Sequence, residues 1–216
     1  MKYETVIFDL DGTLLDTLDD LCSAVNAALA VYGFPSRSRE EVRSFIGDGL
    51  MKLMERAVNK ADFTDYVGIG AEFRKYYKEH CKEQTAPYAG VMTLLKTLKE
   101  CGIKTAVVSN KADFAVKLLA EEYFEGLLLE AIGENEACGV RRKPAPDSLL
   151  SVMEKIGAKK ETTVYVGDSE VDIQTAANAG VDCISVVWGF KDEDFLRKNG
   201  GKIFVNEPMQ IVEYCK

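Results

Sequence analysis

Four short apolar runs, rich in β-branched residues and each ending at a polar or turn-forming position, constrain this fold more than any other feature of the chain. Residues 5–8 (TVIF) run into Asp9, Asp11 and Gly12, and residues 104–108 run into Ser109 and Asn110. Residues 163–166 run into Gly167 and Asp168, and residues 183–187 run into Trp188 and Gly189. Short continuous apolar runs without in–out alternation are how strands buried on both faces read. Residues 127–132 give a fifth candidate strand. Helix-period segments lie between them at 90–101, 112–121, 147–156 and 171–179. Alternation of this kind predicts an α/β fold: a Rossmann-like parallel sheet with helices on both faces.

One stretch breaks the alternation. From residue 16 to residue 82 the pattern is helical throughout, with no strand signal. Leu18, Leu21, Val25, Leu29 and the Val31-Tyr32 pair fit one helix face, with Gly33 and Pro35 as stop signals. Leu50, Leu53, Met54 and Ala57 fit a second helix, and residues 63–81 contain a third, with Phe73, Tyr76 and Tyr77 in its core. Asp16, Thr17 and Asp20 read as a helix cap, and Gly68-Ile69-Gly70 as a loop or helix boundary. Pro87 marks the return to the main domain. The expected division is a core of residues 1–14 and 83–216 with a small helical bundle, residues 15–82, inserted after the first strand.

With 216 residues, 47% of them hydrophobic, the chain is long enough to bury a substantial core. Its 35 acidic against 27 basic side chains give a net charge of −8, which repels nucleic-acid backbones and anionic membranes. Neither is expected as a partner, and oligomeric state stays open. Cys22, Cys81, Cys101, Cys138, Cys183 and Cys215 include no CxxC pair. They read as thiols in a reducing compartment. The apolar start is interrupted by Asp9 and Asp11 and lacks a cleavage pattern, and no apolar run reaches membrane-spanning length. A cytoplasmic protein is the expectation.

In an open parallel sheet, ligands bind beyond the carboxyl ends of the strands. Asp9, Asp11, Ser109, Asp168 and Asp172 all follow such ends, and Lys143 lies in the loop before a helix. Four carboxylates gathered in one pocket must protonate or bind a cation. An acid-rich oxygen site with no histidine suits a hard ion, Mg²⁺. Screened by that ion, Asp9 can act as a nucleophile towards phosphorus. Asp11 would protonate the leaving alkoxide and then activate water. Ser109, neighbouring N–H groups and Lys143 would stabilise the equatorial oxygens. Singly, each of these residues reads as a turn former, a cap or a solvated lysine; their joint order points to a site. Ser109 lies in no GxSxG elbow and His80 has no evident partner, which argues against a serine hydrolase triad.

The ordered set Asp9-Leu10-Asp11-Gly12-Thr13, Ser109-Asn110, Lys143-Pro144 and 167–172 (GDSEVD) resembles the motifs of the haloacid dehalogenase-like hydrolases across nearly the whole chain. The second aspartate resembles the phosphatases of that superfamily and not its dehalogenases. The resemblance implies that Asp9 and Asp168 ligate Mg²⁺ by side chain and Asp11 by its carbonyl. Asp172 would be a further ligand or a partner behind the ligands. Gly12, Ser109, Asn110 and Lys143 are the implied phosphate-binding residues. The helical insert looks like the family's cap, which closes over the phosphate and selects the leaving group.

Residues 42–50 (VRSFIGDGL) and 188–190 (WGF) resemble the phosphoglycolate phosphatase branch. Gly47 and Gly49 would let cap backbone approach a small ligand, and Arg43 would pair with its carboxylate. The expected function is therefore Mg²⁺-dependent hydrolysis of a small-molecule phosphoester, 2-phosphoglycolate first, through an aspartyl-phosphate on Asp9. A β-phosphoglucomutase-like phosphomutase or a pyrophosphatase shares the chemistry. A phospho-accepting signalling module shares the sheet and the clustered aspartates, but Asp11 and a helical cap argue against it.

Overall fold

The computed structural model describes residues 2–134 and 139–215. In chain order its first elements are β1 (Thr5–Phe8), β2 (Leu15–Asp16), α1 (Leu18–Val31), α2 (Arg39–Phe45), α3 (Leu50–Val58), α4 (Tyr66–His80) and β3 (Ala86–Pro87). There follow α5 (Val91–Glu100), β4 (Lys104–Ala112), α6 (Asp113–Phe124), β5 (Glu130–Glu134), α7 (Asp147–Lys155) and β6 (Thr163–Gly167). The last are α8 (Glu170–Ala179), β7 (Asp182–Val186), α9 (Glu193–Lys198), β8 (Ile203–Val205) and α10 (Ile211–Tyr214). The chain divides into two compact units, Met1–Leu15 with Pro87–Lys216, and Asp16–Ala86.

The first unit is built on a six-stranded sheet in the order β5-β4-β1-β6-β7-β8, parallel at every pairing. β1 is central and all four of its residues are buried, which is why its sequence carries no polar alternation. Phe8 stands opposite Val107 on β4 and Val166 on β6. Asp9, Ser109 and Asp168 therefore emerge at one end of the sheet. Ile7, Ala106, Val108 and Tyr165 pack with Leu149, Val152, Met153, Ala176 and Ala179 from α7 and α8. Each fully buried side chain of the Leu or Ile kind stabilises the fold by about 2 kcal/mol relative to exposure.

Several boundaries differ from the sequence expectation. β4 continues to Ala112, four residues past the apolar run, because its polar end still pairs with β5. β5 begins at Glu130 and not at residue 127. Leu127 closes a turn onto the Phe124 carbonyl and Leu129 is 60% exposed, so the three leucines are not a buried strand. β8 has only three residues and carries too little pattern to read.

In the second unit, α1 buries Leu18, Leu21, Val25 and Leu29 as their spacing predicts. Val31 does not join them and is 64% exposed, since two residues past Leu29 lie about 200° round the helix. Phe73 and Tyr77 are buried on α4 and stack at 5.4 Å, while Tyr76 is half-buried. Gly68 lies in the first turn of α4, at its boundary as expected, whereas Gly70 lies inside the helix. Asp65 caps that helix by accepting from the Gly68 N–H at 2.9 Å, and a Cβ on Gly68 would meet the Asp65 carboxylate and the Tyr32 hydroxyl, each at 2.2 Å.

Asp20 is not a capping residue. Its buried carboxylate accepts from the N–H groups of Gln84 and Thr85 and from the Thr85 hydroxyl, at 2.8–3.1 Å. Those bonds hold residues 84 and 85 to α1. The first unit therefore resumes at Pro87, not at residue 83. His80 also has a partner, Glu83 Oε1 at 2.7 Å, and stacks on Tyr76. Among the described residues no helix is long and apolar enough to cross a membrane. Five cysteines are free thiols, and Cys138 lies outside the described residues.

Candidate active site

Asp9 follows β1 directly, its N–H donating to the Val166 carbonyl of β6 at 2.8 Å. Its carboxylate is buried, with Oδ1 3.0 Å from Lys143 Nζ. That contact has the distance of an ion pair without hydrogen-bond alignment, and Asp9 Oδ1 has no hydrogen-bond partner among the described residues. Burial pushes the Asp9 carboxyl up to about 6; Lys143 pulls it down, while Asp172 and Asp11 push it further up. Buried, charged and under-satisfied groups of this kind concentrate at functional sites.

Beyond Asp9 the chain turns tightly, the N–H groups of Leu14 and Leu15 both donating to the Leu10 carbonyl. Gly12 sits in this turn at φ +79°, and a Cβ there would lie 2.4 Å from Asp168 Oδ2. Only glycine fits both the backbone angle and the contact. The turn presents Asp11 to Lys111, whose Nζ donates to both carboxylate oxygens at 2.9 and 3.1 Å. With its side chain 5% exposed, Lys111 belongs to the site. No sequence signal marked it.

Lys143 is buried and donates to Asp172 Oδ1 at 2.7 Å and to the Tyr165 hydroxyl at 3.0 Å. Burial alone would pull the ammonium down, but the carboxylates of Asp172 and Asp9 overrule it and hold it well above its ordinary value. Its backbone is clamped by Asn110, which accepts from the Lys143 N–H at 2.8 Å and donates to the Lys143 carbonyl at 3.0 Å. Asn110, expected to bind phosphate, thus engages both ends of its side chain on Lys143. Ser109 is buried at the same strand end, its hydroxyl oxygen accepting from the Lys111 N–H at 3.4 Å.

Asp168 accepts from the Phe190 N–H at 2.6 Å and from the Thr13 hydroxyl at 3.4 Å. Burial raises its carboxyl well above the ordinary range, and Asp172 and Asp9 raise it further. Residues 188–190 wrap this side: Trp188 Nε1 donates to the Thr13 carbonyl at 3.1 Å, and a Cβ on Gly189 would lie 2.4 Å from the Asp168 side chain. Asp172 is fully buried in the first turn of α8, where its Oδ2 accepts from the N–H and hydroxyl of Ser169. Ligand atoms of Asp9, Asp168 and Asp172 lie within 4.8 Å of one another.

This donor set fits a hard divalent cation. It offers oxygens only, and the four carboxylates of Asp9, Asp11, Asp168 and Asp172 face the two ammonium groups of Lys111 and Lys143. A divalent ion would offset the difference. Asp172, already accepting from Lys143 and twice from Ser169, has less to offer an ion than Asp9 or Asp168.

The structure thus brings together Asp9, Asp11, Gly12, Ser109, Asn110, Lys143, Asp168 and Asp172 in one unit. Arg43, Gly47 and Gly49 belong to the other. Arg43 is exposed on α2, and Gly47 and Gly49 take φ of +126° and +81° in the loop leading to α3. Arg56 braces that loop, donating to the Phe45 carbonyl at 2.7 Å and pairing with Asp48.

Comparison with known proteins agrees with the geometry. Residues 6–186 match the haloacid dehalogenase-like hydrolase family. Phosphoglycolate phosphatase 1 of Pseudomonas aeruginosa is 36% identical over 86% of this chain and 70% of its own. The phosphoglycolate phosphatase of Pseudomonas savastanoi pv. phaseolicola is 32% identical over 97% of this chain and 79% of its own. The crystal structure of a protein from Lactobacillus delbrueckii subsp. bulgaricus, provisionally described as a phosphoglycolate phosphatase, superposes with a TM-score of 0.90 at 37% identity, covering 99% of this chain and 98% of that one. The chain belongs to the haloacid dehalogenase-like hydrolases, and its kin within that family are phosphoric monoester hydrolases by name.

Proposed function

We propose that the chain is a Mg²⁺-dependent phosphatase that hydrolyses a small phosphate monoester, 2-phosphoglycolate before others, through an aspartyl-phosphate on Asp9. The observation that carries the reading is the buried Asp9 carboxylate, with an oxygen that accepts no hydrogen bond, set against Lys143 within an acidic trio. Such an oxygen keeps a lone pair available for attack. The Asp9 and Asp168 carboxylates and the Asp11 carbonyl would hold Mg²⁺, whose charge screens the phosphoryl oxygens from the surrounding carboxylates.

The rest is the work of the chain. Asp9 attacks phosphorus as the bond to the leaving alkoxide breaks, and Asp11 gives that alkoxide its proton. Asp11 then takes a proton from water, which attacks the aspartyl-phosphate; inorganic phosphate leaves and Asp9 is regenerated. The Ser109 hydroxyl, the Lys143 ammonium and N–H groups near Gly12 and Asn110 hold the equatorial oxygens. Lys111, paired to both oxygens of Asp11, fixes its orientation.

The helical unit Asp16–Ala86 supplies substrate selection as the cap, with Arg43 meeting the substrate carboxylate and Gly47 and Gly49 allowing close approach. The phosphoglycolate phosphatase names of the relatives support this choice. A phosphate-release screen with Mg²⁺ over 2-phosphoglycolate, sugar phosphates, pyrophosphate and β-glucose 1-phosphate tests it. We expect kcat/KM for 2-phosphoglycolate to exceed the others by at least about tenfold. A flat ranking removes the substrate assignment, and no release from any ester removes the phosphatase. Conversion of β-glucose 1-phosphate to glucose 6-phosphate without net release would put the mutase in its place.

A further inference from the structure

We propose that Tyr165, a residue inside the apolar run of β6, is a positioning residue that acts on phosphoryl transfer through Lys143; this rests on the phosphatase reading above. Tyr165 is fully buried, its ring packed among Ile7, Val108, Leu149 and Val152. A tyrosine there needs a hydrogen-bond partner, and this one has two. Its hydroxyl donates to the Val108 carbonyl at 2.7 Å and accepts from Lys143 Nζ at 3.0 Å. Val108 immediately precedes Ser109. One hydroxyl therefore joins the strand end that carries Ser109 to the ammonium beside Asp9.

An ammonium has three N–H donors in tetrahedral array. Asp172 Oδ1 and the Tyr165 hydroxyl take two of them with hydrogen-bond geometry. The third makes no hydrogen bond to Asp9 Oδ1, although that oxygen lies 3.0 Å from the same nitrogen. Two fixed donors define the rotation of the group about its last carbon–nitrogen bond. Tyr165 and Asp172 thereby aim the remaining N–H at the place where the nucleophile meets phosphorus. Burial raises the Tyr165 hydroxyl well above its ordinary range, so it stays a neutral acceptor. A phenylalanine fills the same core volume and lacks the hydroxyl's two bonds, to the Val108 carbonyl and from the Lys143 ammonium.

The test is Tyr165→Phe measured on 2-phosphoglycolate and on p-nitrophenyl phosphate with Mg²⁺, alone and combined with Lys143→Met. We expect kcat to fall by about tenfold with KM changing less than about twofold, because the aimed N–H matters most as charge develops on the phosphoryl oxygens. In the Lys143→Met background the same change should alter kcat by less than about twofold, since there is no ammonium left to aim. Replacing Tyr165 by 4-aminophenylalanine, which keeps a donor and an acceptor at the ring tip, should restore part of the loss. It also stands in should the phenylalanine variant fail to fold. Wild-type kcat in Tyr165→Phe, or an equal tenfold loss with and without Lys143, overturns the assignment. A wild-type protein inactive on both esters overturns the phosphatase reading and Tyr165's role with it, an outcome visible before any variant is made.

Discussion

Each unit of the molecule buries a carboxylate, and the two are treated in opposite ways. Asp20, in the helical unit, is 2% exposed and accepts from two backbone N–H groups and a hydroxyl. Asp9, at the end of β1, is 8% exposed, faces one ammonium and leaves an oxygen without a hydrogen bond. A buried charge whose lone pairs are filled is scaffold: it ties two stretches of chain together and has nothing left to give a ligand. A buried charge left under-satisfied is costly to the fold, and that cost is recovered only when a cation or a phosphoryl group arrives.

The largest effect that can break this contrast is Asp9→Asn. Turnover of 2-phosphoglycolate should fall at least about 10⁴-fold, as for other removed nucleophiles. The metal-free protein should at the same time become more stable, because an amide replaces a carboxylate whose burial opposes ionisation. Thermal unfolding in chelator, set beside phosphate release, checks both. A variant that lost stability as well as activity would make Asp9 a scaffold residue like Asp20.

Next in size is Asp20→Ala, which should leave the N–H groups of Gln84 and Thr85 and the Thr85 hydroxyl without their acceptor. Each donor stranded in this way costs about 1–3 kcal/mol, and the set about 4 kcal/mol. Hydrogen exchange should show the loss first at residues 84–85 and the start of α1. Protection there equal to that of the parent protein would mean that the clasp contributes nothing.

The same contrast explains what the sequence made legible. Asp9, Asp11, Asp168 and Asp172 follow apolar runs at strand ends, where a polar residue is conspicuous and the topology gathers it. Lys143 is legible by its place in the order of motifs. Lys111 carries no such signal, because a lysine between a strand end and a helix start reads as a solvated cation, and its partner Asp11 lies 100 residues away in sequence. Tyr165 was hidden for the opposite reason, inside an apolar run where a tyrosine looks like core. Asp20 reads as a cap in sequence because its partners lie 64 and 65 residues away, whereas local patterns report only on neighbours. α2 has no apolar period to read, because it buries only Val42; its one local signal is the capping box of Ser38 and Glu41.

The smallest predicted effect follows from the burial of Asp9 and Asp168 in the metal-free protein. Burial raises the Asp9 carboxyl from 3.8 to about 6, and that of Asp168 rises in the same direction. A carboxyl whose folded-state affinity for protons exceeds its unfolded one adds stability that is complete below the unfolded value and disappears as pH climbs through the folded value. In chelator, the contribution of Asp9 should therefore be present near pH 4 and gone above about pH 6, a loss of about 3 kcal/mol at 1.36 kcal/mol per unit. A divalent cation binds the ionised form, so the stabilisation by Mg²⁺ should be slight near pH 4.5 and largest above pH 6. Thermal unfolding across that range, with Mg²⁺ and with chelator, measures the difference directly. Asp20 offers a cation no comparable site, since its oxygens already accept from the protein. A Mg²⁺-induced shift in Tm of the same size at pH 4.5 and pH 7 would mean that the ion binds elsewhere, and that the frustration of Asp9 is relieved by something other than a metal.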